Sequence, residues 1–195
     1  MPAARFCFPH HGNRTLDLFL YDEVVNAGDL RARLSSGEDV GCAILGASTL
    51  AGTSHILLAA NKALARDRDG TRKVKGLHVD LIFALAGSKN IGEALRRFGI
   101  PDDDAGPSED GDPHTDNQSC RICVAVFDAG GQTPAMVREL VRGREACDPL
   151  RLMEVGSWSD RDALRKLFRV SSLEEGISPT GLFDAIINRM GTSEA

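Results

Sequence analysis

The chain has little aromatic material and no long apolar run. One Trp, one Tyr and eight Phe make aromatics 5% of its 195 residues, so stacking platforms for unpaired bases are scarce. No stretch approaches the roughly twenty apolar residues that cross a bilayer. The opening Met1-Pro2-Ala3-Ala4-Arg5 lacks the charged-then-apolar layout of a secretory leader. The expectation is a soluble, intracellular chain with no membrane partner. The Asn-x-Ser/Thr matches at Asn13 and Asn117 then carry no glycan.

Catalytic signatures are missing too. There is no Gly-x-Ser-x-Gly elbow and no His-Glu-x-x-His pair. The five cysteines are scattered and odd in number. Cys120 and Cys123 have redox or metal-ligand spacing, but they sit in the strand-like run "CRICVAVF", where residues three apart point to opposite faces. No second Cys pair or nearby His completes a site. His10-His11 reads as a solvated pair, His55 and His78 as packing or surface residues, and Asp80 as a lone carboxylate in an apolar strand. Neither a metal nor a cofactor is expected.

What is present is an ordinary globular balance: 42% hydrophobic, 26% charged, net charge -5. At this length one domain is the default. Residues 1–14 read as a loose lead-in, 15–192 as the domain and 193–195 as a tail. "TLDLFLYD" (15–22) alternates as a strand, and 119–128 is the most strand-like run. Residues 40–48 are apolar and ambiguous between a buried strand and a helix edge. Helices are expected at 27–36, at 54–67 with Ser54 as cap, at 133–143 with Pro134 near the first position, at 159–170, and at 178–190 opened by Ser178 and Pro179. Residues 71–87 read as a strand from about Leu77. The run 101–118 carries seven acids, three prolines and no Lys or Arg, the composition of an exposed insert. A few strands with about six helices and no strict alternation predict a single compact α+β domain, a mixed or antiparallel sheet flanked by helices.

The most informative stretch is "GSKNIGEALRRFGIP" (87–101). Its Gly87-x4-Gly92 spacing invites a phosphate-loop reading, but Glu93 and Ala94 stand where Lys and Ser/Thr would be needed. It reads instead as a capped helix. Ser88 or Asn90 opens it; Ile91, Ala94, Leu95 and Phe98 share a face; Gly99 is the expected left-handed C-terminal residue, followed by Ile100 and Pro101. Capping leaves Lys89, Arg96 and Arg97 unexplained. A second basic segment, 61–75, holds Lys62, Arg66, Arg68, Arg72, Lys73 and Lys75. Two such segments bracketing one strand suit a sugar-phosphate backbone if they share a surface.

Four segments carry a family likeness: "VVNAGDLRARL" (24–34), "HILLAANKAL" (55–64), "VDLIFALAGSKNIGEALRRFGI" (79–100) and "LRKLFRVSSLEEGISPTGLFDAIINRM" (164–190). They resemble the PRPK-binding protein family (TPRKB), small non-catalytic subunits of the KEOPS/EKC complex, over about Leu16 to Thr192. The acidic insert and residues 143–158 depart from the pattern. The resemblance implies a compact α+β subunit, cytoplasmic and nuclear, in a complex that helps make threonylcarbamoyl-adenosine in tRNA. A threonylcarbamoyl transferase subunit does the chemistry, beside a PRPK-type atypical kinase/ATPase. It implies kinase contact through Asn26 and Leu30 and through Leu182, Phe183, Ile186, Ile187 and Met190. It makes Lys62, Lys89, Asn90, Ile91 and Arg96 candidates for holding the single-stranded acceptor end of tRNA. Outside the resemblance, a stand-alone α+β enzyme with an unrecognised site and a pure scaffold without RNA contact stay open.

Overall fold

The computed structural model describes residues 4–36, 38–87, 90–100, 120–131, 133–146 and 158–192. The acidic insert expected at 101–118 and the tail at 193–195 lie outside the described residues. The elements run β1 (Ala4–Phe8), a 3-10 turn (Pro9–His11), β2 (Arg14–Asp22), α1 (Ala27–Ser35), β3 (Ala43–Gly46), α2 (Thr53–Arg68), α3 (Leu77–Ala86) and α4 (Ile91–Phe98). They continue as β4 (Ile122–Phe127), α5 (Thr133–Leu140), β5 (Arg144–Ala146), α6 (Arg161–Phe168), α7 (Ser172–Glu175) and α8 (Gly181–Thr192). The strands form one antiparallel sheet in the order β1-β2-β4-β3, with β5 also on β2. This is an α+β domain, as expected.

Alternation along β2 sorts the core into two halves. Leu16, Leu18 and Leu20 join Ala43, Leu45, Cys123, Ala125 and Phe127 on one face, under α2, α3, α6, α8 and Phe98 of α4. Phe19 and Tyr21 join Ile44, Ile122, Val124 and Val126 on the other, under Ala27 and Leu30 of α1 and Val137 and Leu140 of α5. A sheet covered on both faces needs apolar residues at both parities. This is why 40–48 shows no period: Ala43, Ile44, Leu45 and Gly46 are all buried in β3.

Residues 4–8 are not a loose lead-in. They form the edge strand β1, paired with β2 from Ala4↔Leu18 to Phe8↔Arg14. Ala4, Phe6 and Phe8 pack on the first core. Arg5, directly opposite Asp17, holds that buried carboxylate with two hydrogen bonds of 2.6 and 2.7 Å. Residues 77–86 are likewise a helix and not a strand. Asp80 through Leu85 are all buried, so α3 is apolar around most of its circumference, and that hides its period. Asp80 lies in its first turn and accepts from Arg66 Nε at 3.0 Å.

Several ends also differ. Gly52, not Ser54, precedes α2, and no side chain caps it. α8 begins at Gly181, three residues after Ser178. Gly99 has φ -73°, outside the left-handed region. Its need for glycine is steric: a Cβ there would lie 2.4 Å from the Leu95 carbonyl oxygen.

His55 packs under α3 with no exposed surface. Its Nδ1 accepts from the Ala51 N–H at 3.1 Å, and Nε2 donates to the Leu85 carbonyl at 3.2 Å. Phe98 and Phe168 stand edge-on to it. Both nitrogens are used in the neutral ring, and burial pushes its pKa down to about 4. The unfolded chain takes up the proton near 6.5, so this contribution is complete above that pH and is lost as pH falls. Half-buried His78, whose Nε2 accepts from the Phe127 N–H at 3.2 Å, is lowered by burial too and acts in the same direction. We predict that the unfolding free energy drops by about 2 kcal/mol or more between pH 7.5 and pH 5. Urea titrations across that range check it, and a flat profile overturns it.

Candidate partner and RNA surfaces

Within the stretch 87–101, residues Ile91–Phe98 form α4. Asn90 is its N-cap, its side-chain oxygen accepting from the Glu93 N–H at 3.2 Å. Ala94 and Phe98 are buried, but Leu95 is 41% exposed, so the apolar stripe is narrower than its spacing predicts. Glu93 and Arg97 form an i,i+4 ion pair. Arg96 is exposed and makes no ion pair among the described residues. Ser88, Lys89 and the side chain of Ile91 lie outside the described residues.

The second basic segment does not form a positive face. Arg66 is held by buried Asp80, Arg68 by Asp69 at 2.8 Å, and Arg72 by Asp67 at 3.0 Å. Both basic segments flank a helix, α3, where a strand was expected. Lys62 is half-buried and its ammonium donates to the Met190 carbonyl in the last turn of α8. Burial, and then the neighbouring Arg66, lower its pKa. Lys62 thus meets Met190, a member of the other expected set, and serves α8 as a C-terminal cap.

The residues expected to meet a kinase divide between two layers. On one face of the sheet, Leu30 is a core residue of α1. Asn26 clasps the end of α5: its Nδ2 donates to the Leu140 carbonyl, and its Oδ1 accepts from the Arg142 N–H, both at 2.9 Å. On the other face, Leu182, Ile186 and Met190 are at most 1% exposed. These three and Leu30 are core side chains with no surface to offer a partner. Phe183 and Ile187 are half-buried at the rim, and Arg161 stacks on the Phe183 ring at 5.2 Å.

Sequence reasoning missed the most exposed apolar groups. Leu173 on α7 and Ile177 just after it are 85% and 82% exposed, and Val25, two residues before α1, is 81% exposed. α7 is fixed by a capping box between Ser171 and Glu174. Glu174 is also bound by Arg189 of α8 at 3.0 Å, and Glu175 by Arg161 of α6 at 2.8 Å. The available signal was a Leu and an Ile four apart inside a Ser-, Gly- and Pro-rich stretch, where no core-facing period explains them. Cys120 packs on one core and Cys123 on the other, as their spacing requires; burial pushes the Cys123 thiol up to about 12.

Comparison with known proteins points the same way. The family model "Kinase binding protein CGI-121" matches residues 21–106. The chain is 40% identical over 151 residues to the EKC/KEOPS complex subunit CGI121 of Yarrowia lipolytica, covering 77% of this chain and 76% of that one. It is 27% identical over 180 residues to the EKC/KEOPS complex subunit TPRKB of Danio rerio, covering 92% and 91%. With the EKC/KEOPS complex subunit cgi121 of Aspergillus fumigatus it shares 37% over 104 residues, covering 52% and 55%.

The cap on α8 is directly testable. Lys62→Met keeps the aliphatic stem and removes the donor. It should lower the unfolding free energy by about 1.5 kcal/mol, the lower end for one charge-assisted hydrogen bond, and speed hydrogen exchange at 188–192. An unchanged urea midpoint and unchanged exchange would show that Lys62 does not hold the helix end.

Proposed function

This chain belongs to the CGI-121 family of kinase-binding proteins, and from that premise we propose that it binds a PRPK-type kinase/ATPase in a KEOPS/EKC complex and helps present tRNA for threonylcarbamoyl-adenosine formation. It does so as a non-catalytic subunit, with the transferase reached through the complex. The observation that carries the kinase half is the pair Leu173 and Ile177, both above 80% exposed, on and just after a short helix locked to α6 and α8. Each such side chain stabilises a complex by roughly 1.5–3 kcal/mol when fully buried, and two that close in sequence make a defined anchor. The rim residues Phe183 and Ile187 of α8 extend the surface. Asn26 and α1 lie behind the sheet and support a separate, smaller contact around Val25.

The double variant Leu173→Glu/Ile177→Glu should fold normally, because neither side chain is in the core. It should lose capture of a PRPK-type kinase by at least about tenfold, a cost of 1.4 kcal/mol. Wild-type capture by a folded double variant would sink this assignment.

For RNA, the α4 face is the favoured contact. Asn90 caps the N-terminus of this helix, where amide donors suit phosphate. Arg96 lies on the same helix, exposed. An acidic chain binds RNA weakly alone, so the assembled complex supplies the rest. Arg96→Ala should reduce tRNA binding by the complex and lower its salt slope by about one, with kinase capture intact. The loss should be larger for tRNA that keeps its single-stranded acceptor tail than for trimmed tRNA. Identical binding of both RNAs by wild-type and variant complexes would leave a scaffold without RNA contact.

A further inference from the structure

The turn between β1 and β2 leans on the second half of α2 and leaves a cleft of about 320 Å3. Its lining includes Leu64, Asp67 and Arg68 from α2, with His10, His11 and Arg14 from the hairpin. None of these residues belongs to the α4, α7 or α8 surfaces described above.

His11 is not the solvated group its sequence context suggests. It is half-buried, and its Nε2 lies 2.8 Å from Asn61 Oδ1, so that nitrogen carries the ring proton and donates. Nδ1 is buried and has no hydrogen-bond partner among the described residues. A buried polar atom left unmatched is unfavourable until a partner reaches it. Arg14 lies on the same cleft, fixed by two carboxylates: Nη1 donates to Asp67 and Nε to Asp128, each at 2.6 Å. Its Nη2 donors are not taken up by these bonds. Arg68 is engaged by Asp69 through Nε and Nη2, which leaves its Nη1 donors. The one carboxylate in the lining is already neutralised, with Arg14 on one oxygen of Asp67 and Arg72 on the other.

The cleft therefore offers guanidinium donors to an oxyanion and an imidazole acceptor to a hydroxyl, with buried Leu64 closing its floor. We propose that it binds a phosphorylated sugar, the ribose phosphate of a free nucleotide or of an RNA chain, with phosphate on Arg14 and Arg68 and a sugar hydroxyl donating to His11 Nδ1. Its volume is at the lower end of ligand pockets and suits one ribose phosphate unit. The directional demand separates this ligand from simple ions: an inorganic anion engages the arginines but brings no sugar hydroxyl to the His11 Nδ1 acceptor.

The test uses the full chain, with ribose 5-phosphate as probe and amide NMR shifts as readout. Saturable shifts are expected at His11, Arg14, Leu64 and Arg68. Inorganic phosphate should bind about tenfold more weakly. His11→Phe keeps a ring and removes the acceptor, and Arg68→Ala alters an exposed side chain that folding does not need. Each should weaken binding about three- to tenfold, the loss of one hydrogen bond. A second arm compares short RNAs with and without a 5′-phosphate. A phosphate-dependent response at the same amides assigns the site to RNA, and a response to ribose 5-phosphate alone assigns it to a free metabolite. No saturable shift with any probe overturns the proposal. So does equal affinity for inorganic phosphate and ribose 5-phosphate, or unchanged binding by both variants.

Discussion

The structure depends on β2 being enclosed on every side. Its Leu16–Tyr21 span pairs with β4 along one edge, while β1 and β5 divide the other between Arg14–Leu18 and Leu20–Asp22. Both of its faces are apolar, so both must be covered. That requirement sends α2, α3, α6 and α8 to one side and α1 and α5 to the other. It also sets the geometry available to partners. A protein docking on α7 and α8 meets one layer only, and contact with α1 requires it to reach around the sheet.

Enclosing β2 and α3 buries three carboxylates, and each is matched by arginine. Asp17 is held by Arg5, Asp22 by Arg121 at 3.1 Å and Arg144 at 3.0 Å, and Asp80 by Arg66. A buried carboxylate without such a partner would be costly. The consequence for function is subtractive. Much of the positive charge that looks available for RNA in the sequence is taken up inside the fold or in neighbouring pairs. The segment from Lys62 to Lys75 shows this most clearly: Lys62, Arg66 and Arg72 are bonded within the fold, Arg68 is engaged by Asp69 through Nε and Nη2, and exposed Lys73 and Lys75 follow in the connection to α3. Arg96, on a different helix, gains importance because it is not among the absorbed cations.

The elements with one buried face were legible in the sequence, and so was the family. α2 shows a helical stripe because only one side of it is core; β4, buried on both faces, still stands out through its β-branched run. What escaped reading has a common physical cause. α3 is buried nearly all round, so no polar face marks its period; Asp80 was the clue, because a carboxylate in a helix's first turn is better placed than one in a central strand. β1 has the alternation Phe6, Phe8 but is only five residues long, and its decisive feature is the cross-strand pair Arg5–Asp17, which depends on register. The candidate kinase residues in α8 were found as one stripe. Periodicity reports which side chains face a common direction, and here that direction is inward for Leu182, Ile186 and Met190. Neither the internal bond of Lys62 nor the orphaned nitrogen of His11 leaves any local pattern, since both arise between segments far apart in the chain.

The exposed apolar pair gains its meaning from how firmly it is presented. α7 alone is four residues long and has no buried side chain, too short to persist by helix propensity. It is held from outside itself. The capping box fixes its first turn, Arg189 and Arg161 bind its two glutamates, and its end sits directly on the start of α8: a Cβ at Gly181 would lie 2.4 Å from the Glu175 carbonyl oxygen. α8 is anchored in turn by its three core residues and, at its far end, by Lys62 and by Thr192 Oγ1 on the Asn188 carbonyl. Leu173 is therefore displayed on a fixed platform. A partner that covers it gains apolar burial without first ordering the segment. The same lattice of bonds joins α2, where RNA contact was sought, to the helix that backs the partner surface. A change at Lys62 then acts on the placement of α8 through its bond to the Met190 carbonyl.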